Sequence, residues 1–315
     1  MKNLNNNYCV VGIGNHAYSK LIPSIVRSGK RIIGIVSRSN NLYLRKYKRF
    51  KYLDHAMNVL PKNTIFVLST PPCTHFNLIK KLVAKRKNVI VEKPIFTHPN
   101  QVDAFKKYYF KIKYSNLIYE AFMYRYTLIF KKAISFINRE FNEIGKITCN
   151  FMIPSYPKDT FRDGKKIESS CLYDIGSYIF NYFITLNLRL HSFDIINTNY
   201  IDDKLSSMYF SFKIGDIDVY SNIGMNIKYE NNLIIEKKDG KKINFNTFFY
   251  GRPCNKVINI INKDEIKNIV FYEKDAFTTM FKMSDKIKNL YKNKEYYKLI
   301  KINELLFEFA KKLKK

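Results

Sequence analysis

Short apolar strands alternate with helices over the first third of this chain, and no other feature of the sequence constrains the fold as strongly. Buried strands are predicted at residues 8–14, 31–37, 64–69 and 88–92. Helices are predicted at residues 17–28 and 75–86. Continuous apolar runs of this length are typical of parallel strands that are covered on both faces. The order predicts an α/β domain with a parallel sheet, in which ligands bind at the carboxyl ends of the strands.

A glycine-rich turn joins the first predicted strand to its helix, where Gly12, Gly14 and Ala17 match the pattern G-x-G-x-x-A. Gly12 permits a tight turn, Gly14 lets the backbone approach a pyrophosphate, and Ala17 lets the helix pack close to the strand. The helix N-terminus then faces the phosphates, so the segment predicts dinucleotide binding by a Rossmann domain. The candidate cofactor-binding residues of this turn are Gly12, Ile13, Gly14, Asn15, His16 and Ala17.

The end of the second predicted strand carries Ser37, Arg38 and Ser39. An NAD-preferring site has an acidic residue about 20 positions after the glycine motif, where it binds the ribose hydroxyls. A carboxylate would repel a 2′-phosphate, whereas a guanidinium and two hydroxyls would bind it. We therefore expect NADP as the cofactor, with NAD as the alternative if Arg38 is only a solvated loop charge.

The chain is strongly basic, with 55 Lys and Arg against 26 Asp and Glu and a formal net charge of +29. This balance is compatible with a nucleic-acid-binding protein. The basic residues are nevertheless scattered among many Asn, Ile, Tyr and Phe, a composition that an AT-rich genome accumulates. We expect no specific nucleic-acid partner, and a generic nucleic-acid binder is the rival hypothesis.

The cysteines and the apolar segments indicate the compartment. The five cysteines are widely spaced and form no C-x-x-C pair, so we expect free thiols, no zinc site and no other metal site. The first seven residues lack the apolar core of a signal peptide, and no stretch approaches the roughly 18 apolar residues of a membrane helix. A cytoplasmic protein without a membrane partner is predicted.

Two further strand ends carry more specific motifs. Residues 69–75 have the sequence S-T-P-P-C-T-H, and residues 91–94 have the sequence V-E-K-P. With E-A-F-M-Y-R at 120–125, F-R at 161–162 and D-I-G-S-Y-I-F-N at 174–181, the chain resembles the Gfo/Idh/MocA oxidoreductases. The likeness is to the branch of glucose-fructose oxidoreductase and dihydrodiol dehydrogenase. The candidate cofactor-binding residues that these motifs add are Ser69, Thr70, Pro71, His75, Glu92 and Lys93; for His75 a capping or packing role is the alternative.

The resemblance implies catalytic roles for Lys93, Tyr178 and Asp174. An ammonium at the end of the fourth strand can stabilise the alkoxide that hydride transfer creates or consumes. Tyr178 beside Lys93 would supply a proton, and Asp174 would hold substrate hydroxyls or orient the lysine. Asp174, Tyr178 and Asn181 share one face of a predicted helix. The alternative for Tyr178 is an aromatic core residue.

The resemblance also implies a substrate site with contributions from Lys93, Tyr124, Arg125, Arg162, Asp174 and Tyr178. The expected substrate is a sugar or a nucleotide-linked keto sugar, and a trans-dihydrodiol or inositol-type dehydrogenase is an alternative. Just before the helix, the family usually has three glycines, whereas residues 168–171 are Glu, Ser, Ser and Cys. Larger side chains would narrow the substrate space, and they raise the alternative of an inactive dinucleotide-binding sensor.

The remaining sequence predicts a second, α+β domain with a large, mainly antiparallel open sheet. Strands are predicted at residues 146–153, 208–213, 217–223, 232–236 and 242–246, and helices at 126–139 and from about 295. The turn signal Asp239-Gly240 predicts a hairpin between the last two strands. We expect a dinucleotide-binding domain at residues 1–121 and a substrate-binding and oligomerisation domain at residues 122–315, assembled as a homodimer or homotetramer.

Overall fold

The computed structural model describes residues 7–38, 44–111, 118–156, 161–164, 167–290 and 292–313. The chain divides into two compact units. The first comprises Met1–Phe122 and Phe277–Glu304, and the second comprises Met123–Ala276 and Leu305–Lys315. Residues 277–304 thus belong to the first unit, although the predicted division placed them in the second domain.

The first unit contains a six-stranded sheet in which every pair of neighbouring strands is parallel. Its strands are β1 (Asn7–Val11), β2 (Arg31–Val36), β3 (Arg49–Phe50), β4 (Ile65–Leu68), β5 (Asn88–Val91) and β6 (Ile118–Glu120). The strand order is β3-β2-β1-β4-β5-β6. All residues of β4 and β5 are buried, which explains their unbroken apolar sequence. The predicted Rossmann-type α/β fold is confirmed.

Helices connect these strands. They are α1 (Ile22–Arg27), α2 (Leu53–Val59), α3 (His75–Ala84) and α4 (Pro99–Lys111). A later helix, α7 (Ala276–Leu290), also belongs to this unit from Phe277 onward. The predicted helix at 17–28 begins with a π-helical turn, Ala17–Leu21, before α1. Pro23 follows this turn and has no N–H to donate to the preceding turn. In α7, Phe281 packs edge-on against Tyr8, and the Ser284 hydroxyl lies 2.5 Å from the Tyr8 hydroxyl.

The second unit contains an eight-stranded sheet with the order β14-β13-β12-β11-β7-β10-β9-β8. Its strands are β7 (Ile144–Ile153), β8 (Leu190–Ile201), β9 (Lys204–Ile214), β10 (Ile217–Met225), β11 (Glu230–Lys237), β12 (Lys242–Asn246), β13 (Cys254–Asn262) and β14 (Glu265–Glu273). Only β7 and β10 pair in parallel, so the predicted mainly antiparallel sheet is confirmed. Gly240, at φ +88°, turns the chain between β11 and β12 as the hairpin signal predicts.

Helices cover one face of this sheet. They are α5 (Leu128–Glu140), α6 (Ser177–Thr185) and the end of α8 (Lys292–Lys312). Phe180 of α6 and Phe309 of α8 both contact Phe210 of β9, with ring centroids 5.8 and 5.0 Å from it. Alternate residues of β9 are buried, as expected for a strand with one covered face. No helix among the described residues is long and apolar enough to span a membrane.

Candidate functional site

Four strand ends of the first unit lie side by side at the carboxyl edge of the parallel sheet. The Gly12 N–H donates to the Val36 carbonyl at 3.0 Å, which joins the ends of β1 and β2. The Ser69 N–H donates to the Val11 carbonyl at 2.8 Å. The Glu92 N–H donates to the Leu68 carbonyl at 3.0 Å. The predicted cofactor residues after β1, β2, β4 and β5 are therefore neighbours.

Gly12 and Gly14 form a cradle that fits a pyrophosphate. Gly12 has φ +84°, and a Cβ there would lie 2.6 Å from Thr70 Cγ2 and 2.8 Å from the Ser69 carbonyl oxygen. A Cβ on Gly14 would have no heavy atom within 4 Å, so open space lies above the start of the helix. Ala17 is fully buried, which lets the helix approach the sheet. These residues occupy the positions that a dinucleotide-binding turn requires.

The other predicted residues of this turn are more open. Ile13 is half-buried, Asn15 is exposed, and the Asn15 carbonyl accepts a hydrogen bond from the Ser19 hydroxyl at 2.7 Å. The His16 side chain is 45% exposed; its Nε2 lies 3.1 Å from Glu92 Oε1, and its ring meets the edge of Phe277. His16 thus links the glycine-rich turn to the segment that contains Lys93.

Three contacts fix the backbone around Lys93, itself half-buried after β5. The Glu92 N–H binds the end of β4, as described above. The Pro94 carbonyl lies 2.9 Å from His75 Nδ1, and the Ile95 N–H donates to Glu120 Oε1 at 3.0 Å. The Lys93–Pro94 peptide is cis. Glu120 is part of the motif at 120–125, but its supporting contact was not predicted because the two segments are distant in sequence.

His75 lies inside the unit and not on its surface. Its Nε2 is 2.8 Å from the Thr70 carbonyl oxygen, so the ring bridges the segments after β4 and β5. The side chain is fully buried, and burial lowers its pKa although both carbonyl contacts oppose this effect. The geometry favours the packing role that the sequence left open beside cofactor contact. Pro71 is exposed, and Thr70 Oγ1 lies 2.6 Å from Thr74 Oγ1.

The segment after β2 contains the predicted residues Ser37 and Arg38, whereas Ser39 lies outside the described residues. Arg38 is exposed. Arg49 of β3 donates from Nε to the Ser37 carbonyl at 3.3 Å and from Nη2 to the Arg38 carbonyl at 3.1 Å. Arg49 was not predicted, since a two-residue strand leaves no periodic signal in the sequence.

In the second unit, Asp174 forms an ion pair with Arg162. Arg162 Nε donates to Asp174 Oδ2 at 2.5 Å, and the Asp174 side chain is only 7% exposed. The charge of Asp174 is the largest cause that raises the pKa of Arg162, and the phenols of Tyr178 and Tyr156 add to it. Lys204 donates to the Tyr156 hydroxyl at 2.9 Å and to the Arg162 carbonyl. Arg162, Asp174 and Tyr178 therefore belong to one cluster, to which Lys204 and Tyr156 are unpredicted additions.

Tyr178 and Tyr124 lie in an aromatic cluster. The Tyr178 hydroxyl points at Met123 Sδ, 3.7 Å away, and its ring meets Phe151 edge-on. Tyr124 is fully buried, with its hydroxyl 2.8 Å from Asn181 Oδ1, and burial raises its pKa well above the usual value. Tyr124 thus supports α6 from within the unit, a contact different from the substrate contact that the resemblance implies.

The helix that carries Asp174 and Tyr178 is irregular. A π-helical turn, Leu172–Gly176, contains Asp174, and the regular helix α6 starts at Ser177. The four residues before it, Glu168 to Cys171, are all buried. The Ser169 hydroxyl donates to the Gly164 carbonyl, and the Ser170 carbonyl accepts from the Asp174 N–H at 3.0 Å. These residues pack inside the unit, and their predicted effect on the substrate space stays a prediction.

Arg125 is half-buried in the turn Met123–Tyr126.

The described residues of the chain contain no group of His, Cys, Asp and Glu side chains arranged to hold a metal ion. The five thiols are free, and Cys73 is exposed in the segment after β4. The candidate groups are therefore the glycine-rich turn and Lys93 in the first unit and, separately, the cluster around Arg162 in the second unit.

The fold and the carboxyl-edge site define the first unit as a dinucleotide-binding Rossmann domain. The Gfo/Idh/MocA model, described as an oxidoreductase family with an NAD-binding Rossmann fold, matches residues 6–111. This match covers the glycine-rich turn and the motifs at 69–75 and 91–94, and it confirms the resemblance of the N-terminal segment to that family. No curated protein sequence matches the chain.

Solved structures share the fold of nearly the whole chain. KijD10, a 3-ketoreductase from Actinomadura kijaniata in complex with NADP and TDP-benzene, superimposes with a TM-score of 0.80 and 16% identity over 96% of this chain and 95% of that chain. A mutant of it in complex with the same two ligands gives 0.82 and 15% over 97% of each chain. Putative oxidoreductase yvaA from Bacillus subtilis gives 0.71 and 14% over 99% and 98%.

Proposed function

We propose that the protein is an NADP-dependent oxidoreductase that transfers a hydride between nicotinamide and a carbonyl or hydroxyl carbon of a sugar or nucleotide-linked keto sugar. One observation carries the proposal: the open cradle above Gly14 lies at the same sheet edge as Lys93, whose backbone is fixed by His75 and Glu120. A bound dinucleotide at this edge presents its nicotinamide near the strand ends.

The cofactor would be held by residues of the first unit. The N–H groups after Gly12 would bind the pyrophosphate, and Ser37 with Arg38 would bind a 2′-phosphate. No acidic residue precedes Asp54 in the chain, so the ribose-binding carboxylate of NAD enzymes is missing from the segment after β2. This supports NADP over NAD, as does the NADP in the 3-ketoreductase complexes.

When bound, the nicotinamide supplies or accepts the hydride. In the reducing direction, the Lys93 ammonium would donate a hydrogen bond to the carbonyl oxygen and stabilise the negative charge that develops there. The Tyr178 phenol would then give its proton to that oxygen, which completes the alcohol. The phenol would regain a proton from water. Asp174 would hold Arg162 in place and bind substrate hydroxyls. In the oxidising direction each transfer is reversed.

The substrate class is argued from charge. Arg162 and Lys204 lie in one cluster with Tyr156, and their excess of positive charge over Asp174 favours an anionic group. A nucleotide-linked sugar carries such a group, and KijD10 was crystallised with TDP-benzene. We therefore propose a nucleotide-linked keto sugar as the preferred substrate, ahead of a neutral sugar, an inositol or a trans-dihydrodiol.

The proposal is tested by following NADPH absorbance with a panel of keto sugars, free and nucleotide-linked. Lys93→Ala and Tyr178→Phe are expected to lower kcat by about 10²-fold or more, because each removes a group that acts on the developing charge. Matched controls are Lys85→Ala and Tyr200→Phe, which change exposed residues of the same types. Equal turnover by wild type and both site variants would refute the mechanism.

A catalytically inactive sensor is the second candidate, and the buried segment from Glu168 to Cys171 is the observation that favours it. Such a protein would bind NADP with ordinary affinity and turn over none of the substrates in the panel. Mass spectrometry of small molecules that copurify with the protein would report the cofactor, and the substrate if one is retained.

A further inference from the structure

Arg49 occupies a position that the sequence patterns do not single out. It begins β3, the edge strand of the parallel sheet, where it pairs with Ile35 of β2. Two residues beyond Ile35, the chain leaves β2 and enters the segment of Ser37 and Arg38. The parallel register therefore brings Arg49 to the carboxyl end of β2, on the side away from β1.

Arg49 holds the backbone of this segment through its guanidinium. Nε and Nη2 donate to the Ser37 and Arg38 carbonyl oxygens, as described above, while the Ser37 N–H donates to the Phe50 carbonyl at 3.0 Å. Strand β3 thus fixes both the donor and the acceptor groups at the end of β2. A guanidinium is planar, always charged and carries five N–H donors, so the same group can bind backbone and an anion together.

The charge around this segment has one sign. Between Arg31 and Leu53 the chain contains six basic residues and no Asp or Glu. Arg38 and Arg49 are both exposed. Arg38 follows the end of β2, and Arg49 lies beside that end on β3. Two guanidinium groups at the end of one strand favour the binding of a doubly charged phosphate monoester over that of an uncharged ribose hydroxyl.

We infer that Arg49 is a second binding residue for the 2′-phosphate of NADP, and that it also holds the turn that carries Arg38. This inference rests on the proposed function, because it takes the end of β2 as the site of the cofactor's adenosine ribose. The sequence assigned the choice between NADP and NAD to residues 37–39 alone. The inference adds a residue from a neighbouring strand to this set.

The test measures binding directly, by titration calorimetry of the full chain with NADP and with NAD. Arg49→Gln is expected to raise the Kd for NADP by about tenfold or more and the Kd for NAD by less than about threefold, since a charged hydrogen bond is lost only with NADP. Arg49→Lys keeps the charge but loses the planar set of guanidinium donors, so we expect an intermediate rise in the Kd for NADP. Arg31→Gln, at the opposite end of β2, removes the same charge and is the matched control.

A competition with adenosine 2′,5′-bisphosphate against adenosine 5′-phosphate isolates the 2′-phosphate from the rest of the cofactor. Only binding of the bisphosphate is expected to weaken in Arg49→Gln. Any loss of thermal stability in this variant is expected to be small, because the two backbone hydrogen bonds that it breaks lie at the exposed edge of the sheet. Equal weakening for NADP and NAD, or no weakening for either, would overturn the role of Arg49 while leaving the proposed oxidoreductase intact. A wild-type chain that binds neither dinucleotide would overturn both.

Discussion

His75 shows how one buried side chain can join two segments of a candidate site. Its two ring nitrogens face the Thr70 and Pro94 carbonyl oxygens, and a neutral imidazole has one N–H to share between them. Protonation would satisfy both carbonyls, but burial opposes the charge and lowers the pKa. The neutral form of the ring is therefore the one that we expect to hold the segment of Lys93.

This balance predicts an acid-sensitive fold. The unfolded chain takes up a proton on this histidine near pH 6.5, whereas the folded chain resists it because its pKa is lowered. The free energy of unfolding should therefore be highest above about pH 6.5, fall as the pH drops from there toward the lowered folded-state pKa, and level off below that pKa. Urea unfolding at pH 7.5 and pH 5 should show a smaller loss for His75→Asn than for wild type.

In the same experiment, His98→Asn changes an exposed histidine and should keep the wild-type pH dependence. At pH 7.5 His75→Asn should itself cost about 1–3 kcal/mol, because at least one buried carbonyl loses its partner. If wild type and His75→Asn lose equal stability at acid pH, the titration of His75 does not contribute.

Gly12 is predicted to be irreplaceable for a reason separate from its backbone angle. In Gly12→Ala the new Cβ would overlap the Thr70 side chain and the Ser69 carbonyl. Gly29→Ala is the matched control: its φ of +78° is similar, but a Cβ there meets no atom within 4 Å. Both variants should lose about 1–2 kcal/mol from the positive φ. Only Gly12→Ala should also weaken dinucleotide binding, by about tenfold or more, in a calorimetric titration; equal binding by both variants would contradict this.

At the scale of the element, helix α5 depends on a residue from the far end of the second sheet. Glu273, the last residue of β14, is buried and accepts hydrogen bonds from the Leu128 and Ile129 N–H groups at 2.6 and 3.1 Å. The Thr127 hydroxyl accepts from the Phe130 N–H at 3.3 Å. These acceptors satisfy N–H groups that have no partner within the helix, and the carboxylate complements the helix dipole.

Glu273→Gln should destabilise the chain by about 1–3 kcal/mol, because a buried charged acceptor becomes a neutral one. Amide hydrogen exchange should locate the effect, with faster exchange at the start of α5 than in wild type. Glu265→Gln at the exposed beginning of the same strand should leave exchange in α5 unchanged. An unaltered α5 in Glu273→Gln would show that the cap is dispensable.

At the scale of the whole molecule, we expect the net charge of +29 to act as a general electrostatic field. The proposed ligand contacts involve Arg38, Arg49, Lys93 and Arg162, while the remaining basic residues are spread over the sequence. Such a field attracts anions of many kinds and is screened within about 10 Å at 0.1 M salt.

Binding to generic duplex DNA should therefore be independent of sequence and should disappear as salt rises from about 50 to 200 mM, because it depends on counterion release. NADP binding should remain measurable at the higher salt, since its contacts are local. Gly12→Ala should separate the two, with weakened NADP binding and unchanged DNA binding. Fluorescence anisotropy with two unrelated duplexes provides the measurement, and salt-resistant, sequence-selective binding would support the rival nucleic-acid hypothesis.

The sequence predicted an element correctly where that element depends on residues close together in the chain. Strands β4 and β5 were predicted within one residue of each end, because burial on both faces leaves an unbroken apolar run. Strand β14 was missed: most of its side chains are exposed, so it carries neither a continuous nor an alternating pattern. Strand β3 was missed because two residues carry no pattern at all.

The sequence by itself determined the Rossmann fold, the glycine-rich turn and the order of the motifs, since each depends on residues close together in the chain. Only the tertiary structure decided that Arg49 holds the segment of Arg38, that His75 and Glu120 fix the segment of Lys93, and that residues 277–304 join the first unit. The contacts of Arg49, His75 and Glu120 join distant parts of the chain through backbone carbonyls and N–H groups. Every residue has a carbonyl and every residue except proline has an N–H, so residue type alone cannot identify the partners that packing selects.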